Sequence, residues 1–161
     1  MCKTKRVDKT MKKINPKSDK MKLITKCESL LRKELIAERG NRCEICGKPR
    51  ERLYYPLSLF HILPKSRYPR LRLYKGNLLL ACWSKEYYMP CCHNLWHAGG
   101  ESKKFIEEKI KELKGEDYEK ELLLRAKTIP KLDMFQINLI YESLKNRKEE
   151  YGKNNHYSKT V

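Results

Sequence analysis

The stretch KGNLLLACWSKEYYMPCCHNLWH, residues 75–97, sets an aliphatic strand, a cysteine group and a histidine pair within one short span. Leu78-Leu79-Leu80-Ala81 is the strand, entered from Gly76-Asn77. His93 and His97 stand four residues apart, so on a helix both imidazoles share one face. That is a two-point grip for a metal ion. Taken alone, the same pair would serve as part of a zinc site, and Asn77 after Gly76 would be an ordinary turn residue.

Working upstream, Cys43-Glu44-Ile45-Cys46 is followed by Gly47, Lys48 and Pro49. Two thiolates at this spacing grip one zinc ion while the chain turns between them. The redox reading of such a pair expects a helix start in a thioredoxin-like unit. Here the pair follows a helical pattern and leads into a turn, which suits a zinc knuckle. Cys82 and Cys92 are the candidates to complete the tetrahedron, with Cys91 a rival for the last place. The bland alternative is that Cys82 and Cys91 are small buried hydrophobes.

Between the two cysteine groups lies Leu59-Phe60-His61-Ile62-Leu63, a strand-like run with one imidazole. A lone histidine in an apolar strand is most often a satisfied core residue. Its neighbourhood argues for more. Lys65, Arg67, Arg70, Arg72 and Lys75 follow, interleaved with Tyr68 and Tyr74, and no acidic residue occurs from 52 to 85. Such a stretch is suited to phosphate contact.

The chain as a whole agrees with a polyanionic partner. Among 161 residues, 37 Lys and Arg against 20 Asp and Glu give a net charge of +17. That excess repels itself in a compact state, and DNA or RNA relieves it. Ribosome-like and membrane-surface proteins share the composition. No apolar run approaches the roughly 20 residues that a bilayer requires, and no apolar stretch follows the basic N-terminus. A cytoplasmic, DNA-associated location is the expectation. Clustered cysteines in a reducing compartment point to metal rather than disulfides.

The organisation reads as four parts. Residues 1–18 form a basic flexible tail that lacks the apolar residues to order itself. A module spans 19–101 and begins with a helix whose stripe is Ile24, Cys27, Leu31 and Leu35, stopped by Gly40. Residues 102–152 form a helical extension with stripes at Ile106-Ile110-Leu113, at Tyr118-Leu122-Ala126 and, after Pro130, at Ile137-Ile140-Leu144. Asp133 sits three residues before Gln136, the spacing of a helix cap. These helices are core elements on the plain reading and a homodimer or DNA-clamping surface on the sharper one. Residues 153–161 close the chain as a second flexible tail.

In this order CEIC, FHILPKS, KGNLLLAC and CCHNLWH resemble the HNH (His-Asn-His) endonucleases that carry a four-cysteine zinc site. ELIAERGNRCEICGK resembles their lead-in helix. The likeness covers residues 41–97. It implies an α+β chain with a small ββα-metal core, a zinc knuckle and flanking helices. It also implies metal-dependent hydrolysis of DNA phosphodiesters. His61 would be the general base that takes a proton from water. Asn77 would hold the His61 segment in position. Cys43, Cys46, Cys82 and Cys92 would hold structural zinc. His93 and His97 would bind Mg²⁺ or another divalent ion against the scissile phosphate. Lys65, Arg67, Arg70, Arg72 and Lys75 would bind duplex, branched or single-stranded DNA.

The sequence departs from that family twice. The position before the base usually holds a metal ligand, and here it is Phe60. Ser58 shares its strand face but is a feeble ligand. Nine residues separate Cys82 from Cys92 where the family has two, so WSKEYYMPC reads as an insertion. Its Trp83, Tyr87 and Tyr88 would cover the zinc site or stack on bases. A narrower likeness is to phage NinG-type recombination nucleases, through the histidine strand, RYPRLRLYKGN, the cysteines and the charged helical tail. The rival function is a zinc-stabilised nucleic-acid-binding module whose nuclease centre has decayed. A second rival is a basic interaction protein with no active site.

Overall fold

The computed structural model describes residues 16–86 and 89–154, with side chains over 19–86 and 89–148. Of the tails expected at 1–18 and 153–161, residues 16–18 and 153–154 are helical, and the rest, together with Tyr87 and Tyr88, lie outside the described residues.

Helix α1 spans Pro16–Arg39. Its stripe of Ile24, Cys27, Leu31 and Leu35 is buried. Gly40 ends it at φ +87°, a conformation that glycine adopts without steric penalty. The knuckle follows at once. The Cys43 N–H donates to the Lys48 carbonyl at 2.9 Å, and the Gly47 N–H to the Cys43 carbonyl at 2.9 Å. Gly47 has φ +73°, and this positive φ lets the chain fold back between the paired residues Arg42 and Pro49.

Two strands form the sheet: β1, Ser58–His61, and β2, Leu78–Ala81. They pair antiparallel with Ser58 opposite Ala81 and His61 opposite Leu78. Every residue of β2 is buried, which is why its sequence runs apolar without alternation. Burying each of its three leucines contributes about 1.5–3 kcal/mol. The outer edge of β2 is closed by the knuckle. The Glu44 N–H donates to the Leu80 carbonyl at 2.8 Å, and the Glu44 carboxylate accepts the Leu80 N–H at 2.6 Å. Arg39 binds both Glu44 oxygens, at 3.2 and 3.3 Å, and the Leu78 carbonyl at 3.0 Å. The end of α1, the knuckle and the sheet are therefore one hydrogen-bonded unit.

Four helices follow among the described residues: α2, Cys92–Ala98; α3, Gly100–Lys114; α4, Tyr118–Thr128; and α5, Met134–Asn154. Asp133 accepts the Gln136 N–H at 2.8 Å, so the expected cap is formed. Helix α5 packs along α1, burying Ile137 and Leu144. Arg147 reaches Glu34 at 2.7 Å, and Lys75 reaches the same carboxylate oxygen at 2.9 Å. The helical extension thus shares one core with the sheet and α1. Of the expected stripe on α3, Ile106 and Ile110 are buried, while Leu113 is 49% exposed. No helix among the described residues is long and apolar enough to cross a membrane.

Candidate functional site

Cys43 and Cys46 come from the knuckle, Cys82 from the end of β2 and Cys92 from the first turn of α2. Their four sulfurs all lie within 4.8 Å of one another. The closest pairs, Cys43–Cys92 and Cys46–Cys82, are each 3.8 Å apart. A tetrahedral zinc with bonds of about 2.3 Å requires sulfur–sulfur edges of about 3.8 Å. Four such thiols close enough to hold one metal ion are thus brought together from three elements. Cys91 is outside the set and half-buried before α2. Hydrogen bonds from Cys82 and Cys92 push the Cys43 thiol far below the usual thiol range. Those same bonds push Cys82 up to about 12 and Cys92 higher still. Packed thiols accept one negative charge and resist a second, and a bound dication removes that conflict. Cys27 is elsewhere, under α5, with its thiol raised to about 11 by burial.

The histidines lie along the hairpin, His61 at the end of β1 away from the cysteines and His93 beside Ser58 at the nearer end. His61 closes β1, and its Nε2 donates to the Arg72 carbonyl at 3.0 Å. A carbonyl only accepts, so the proton sits on Nε2 and Nδ1 keeps its lone pair. Burial lowers the His61 pKa below the ordinary histidine value, so the ring is neutral at pH 7. His93 is oriented by a relay. Ser58 Oγ donates to the Ala81 carbonyl at 3.1 Å and lies 2.9 Å from His93 Nδ1. With its proton so committed, Ser58 accepts from His93 Nδ1–H, and Nε2 of His93 carries the lone pair. Burial first, then the charges of His97, His61 and Lys65, lower the His93 pKa to about 4. The His97 ring stacks on it at 5.1 Å and is exposed. Two imidazoles on one helical turn are a two-point grip for a metal.

Phe60 stands edge-on to His93 at 5.5 Å and to Trp96 at 5.3 Å. It fills, with carbon, the position from which the resembled family contributes a ligand. Among the described residues, the four cysteines are the only group of three or more His, Cys, Asp or Glu close enough to hold an ion.

Asn77 is fully buried just before β2. Its Oδ1 accepts the Leu63 N–H at 2.8 Å, and its Nδ2 donates to the carbonyls of Leu63 at 3.0 Å and Leu71 at 3.4 Å. The backbone carbonyl of Asn77 accepts the Ile62 N–H at 3.0 Å. It clamps the chain directly after His61.

A groove of about 310 Å³ runs past His61, lined by Thr25, Glu28, Ser29 and Arg32 of α1, by Ser58, Leu59 and Lys65, and by Trp83. The basic residues divide around it. Lys65 borders the groove, with its head 4.0 Å from Glu28. Arg67 is exposed and lies over the Tyr68 ring. Arg70 donates to the carbonyls of Lys127 and Ile129 at 3.4 and 3.3 Å. Arg72 pairs with Glu28 at 2.8 Å, and Lys75 pairs with Glu38 at 2.7 Å as well as with Glu34. The uninterrupted basic stretch is therefore partly neutralised by acids of α1, which no reading of 52–85 alone reveals. The signal lay in α1 itself: Thr25, Glu28, Ser29 and Arg32 recur at helical spacing beside the apolar stripe.

Comparison of the chain with family models, with curated proteins and with solved structures gives no match.

Proposed function

We propose that this protein is a zinc-stapled, metal-dependent endonuclease of the HNH type that hydrolyses DNA phosphodiester bonds. One observation carries the reading. His61, Asn77, His93 and His97 follow one another along a hairpin and the next helix, and the side chains of His61, Asn77 and His93 each have a hydrogen-bond partner that suits the proposed role. Asn77 is spent on backbone, as a positioner must be. His61 keeps a free Nδ1 on a neutral ring in a groove. His93 keeps a free Nε2, with Nδ1 held by Ser58.

In this reading the cysteines hold structural zinc and fix the start of α2, and hence His93 and His97, against β1. His93 and His97 would hold a divalent ion, which would supply Lewis-acid stabilisation of the leaving oxygen. His61 takes the proton from the attacking water. Lys65 and Arg67 contact phosphates near the groove. Arg72 and Lys75 serve mainly to hold α1 against the loop that follows His61.

Phe60 sustains the second reading, a nucleic-acid-binding module without cleavage, because an ion held by two imidazoles is short of protein ligands. Cleavage of duplex, branched and single-stranded DNA with Mg²⁺, Mn²⁺ and Zn²⁺ decides between them. Cutting that His61→Ala abolishes supports the nuclease. Salt-sensitive binding with no cutting under any ion supports the module.

A further inference from the structure

Arg72 is held at both ends. Its backbone carbonyl accepts the His61 Nε2–H at 3.0 Å. Its side-chain Nε donates to the Glu28 carboxylate of α1 at 2.8 Å. The two side chains are only 16% and 18% exposed, so water competes little for this charged bond. Glu28 also faces Lys65 at 4.0 Å and lines the groove that passes His61. A chain of two bonds therefore runs from α1 through one residue to the imidazole.

A carbonyl on a loop is aimed no better than the loop is anchored. Arg72 directly follows a single 3₁₀ turn, Pro69–Leu71, and its own N–H makes a long bond of 3.3 Å to the Pro69 carbonyl. The neighbouring anchors are long as well. Asn77 Nδ2 reaches the Leu71 carbonyl at 3.4 Å, and Arg70 reaches the carbonyls of Lys127 and Ile129 at 3.4 and 3.3 Å. The bond to Glu28 is the shortest of these, and it is made by the same residue whose carbonyl holds His61. Lys75 ties the same loop to Glu34 and Glu38 of α1 but bonds to no histidine.

We infer that Glu28 and Arg72 are positioning residues for His61: through their ion pair, α1 holds the carbonyl that fixes the imidazole ring. The first helix then orients the ring without a hydrogen bond to it. Their part in cleavage rests on the reading of His61 as the general base, whereas the hold on the ring does not. The two effects of Glu28 also have opposite signs. On charge alone, removing an acid from a phosphate-binding groove favours DNA. Removing a positioning residue lowers the rate, because a misplaced base loses its alignment with the attacking water.

The test reads the His61 imidazole N–H proton by NMR, on the full-length chain without DNA. His61→Ala assigns it among the four histidines by deleting it. In the wild type this proton should exchange slowly with water. Glu28→Ala and Arg72→Met should each speed the exchange about tenfold, the worth of one hydrogen bond. The double variant should go little further, since both changes break one relay. Arg72→Met keeps the backbone carbonyl, so its effect comes through the position of the loop. Glu28→Gln keeps an oxygen for the Arg72 Nε–H and should restore most of the protection. Lys75→Met should lower stability and leave the exchange unchanged. Alanine suits a helix, so Glu28→Ala tests the relay even where Arg72→Met costs the fold. An unprotected proton in the wild type, unchanged exchange in Glu28→Ala, or equal acceleration by Lys75→Met overturns the relay. On DNA, Glu28→Ala should lower kcat about tenfold, less than the loss of the base itself, while KM holds or falls. Faster exchange in the variants of a protein that cuts nothing keeps the relay and loses the nuclease reading. Cutting that His61→Ala abolishes and Glu28→Ala leaves level does the reverse.

Discussion

Asn77→Ala is the sharpest test of how the His61 loop is held. The carboxamide makes three hydrogen bonds in a site with no solvent exposure. Truncation does not orphan all three partners equally. The Leu71 carbonyl keeps the Tyr74 N–H at 3.1 Å. The Leu63 N–H and the Leu63 carbonyl lose their carboxamide partners. Two stranded backbone groups at about 1–3 kcal/mol each, eased by whatever water enters the space, give a loss of about 3 kcal/mol. That is a large part of the 5–15 kcal/mol typical of a domain. Urea denaturation of zinc-loaded protein, monitored by Trp fluorescence, reads it directly. Asn77→Asp refines the test. One oxygen still accepts the Leu63 N–H, while the other faces two carbonyls, so the protonated acid is favoured and its folded pKa rises. A raised folded pKa gives stability that is present below the unfolded value near 3.9 and lost as pH rises through the folded value. The deficit against wild type should therefore be larger at pH 7 than at pH 4.5. A loss under 1 kcal/mol for Asn77→Ala, or a deficit in Asn77→Asp that grows on acidification, refutes the clamp.

Natively purified protein should contain one zinc per chain, and Cys43→Ser should release it and unfold the central module, as metal analysis and circular dichroism would show. His61→Ala should lower cleavage about 10²–10⁴-fold with zinc content and DNA affinity nearly unchanged. Excess Mn²⁺ should partly restore His93→Ala and leave His61→Ala inactive. With burial lowering the His61 pKa, the acid limb of kcat/KM should lie below 6.5, with activity lost as pH falls through it; a limb above 7 removes His61 as the base. Neutralising Lys65 and Arg67 together should flatten the salt dependence of duplex binding by roughly 0.9 per lost phosphate contact. Arg72→Gln should instead lower stability with little change in slope, since its partner is Glu28.

What was legible in the sequence followed from local rules. Gly40, the stripe on α1, the Asp133 cap and the Cys43-x-x-Cys46 turn each state their geometry within a few residues. Pairing Cys92 rather than Cys91 with the knuckle is a matter of helix phase at the start of α2, which adjacent cysteines cannot reveal. The ion pairs of Arg72 with Glu28 and of Lys75 with Glu34 and Glu38 join positions far apart in the chain, so the basic stretch looked more available than it is. The docking of α5 on α1 was hidden for the same reason: an amphipathic stripe says that a face is covered and not by what.

Phe60 and Ser58 are best understood together. They share the face of β1 that meets α2, so whatever stands at these positions decides how His93 is held. A carboxylate or imidazole at 60 would add a ligand and a claim on the metal's charge. The phenyl ring instead packs edge-on against His93 and Trp96, and Ser58 fixes the tautomer. The result is an imidazole that is rigidly aimed, neutral and short of company. On the nuclease reading, His93 and His97 would hold a divalent ion only weakly in the absence of a phosphate ligand, so ion and DNA should bind with positive coupling. The Mn²⁺ affinity of His61→Ala, the variant expected not to cut, should accordingly rise when DNA is added. Ion binding that is equally tight with and without DNA would mean that a further protein ligand exists and that Phe60 costs the centre nothing.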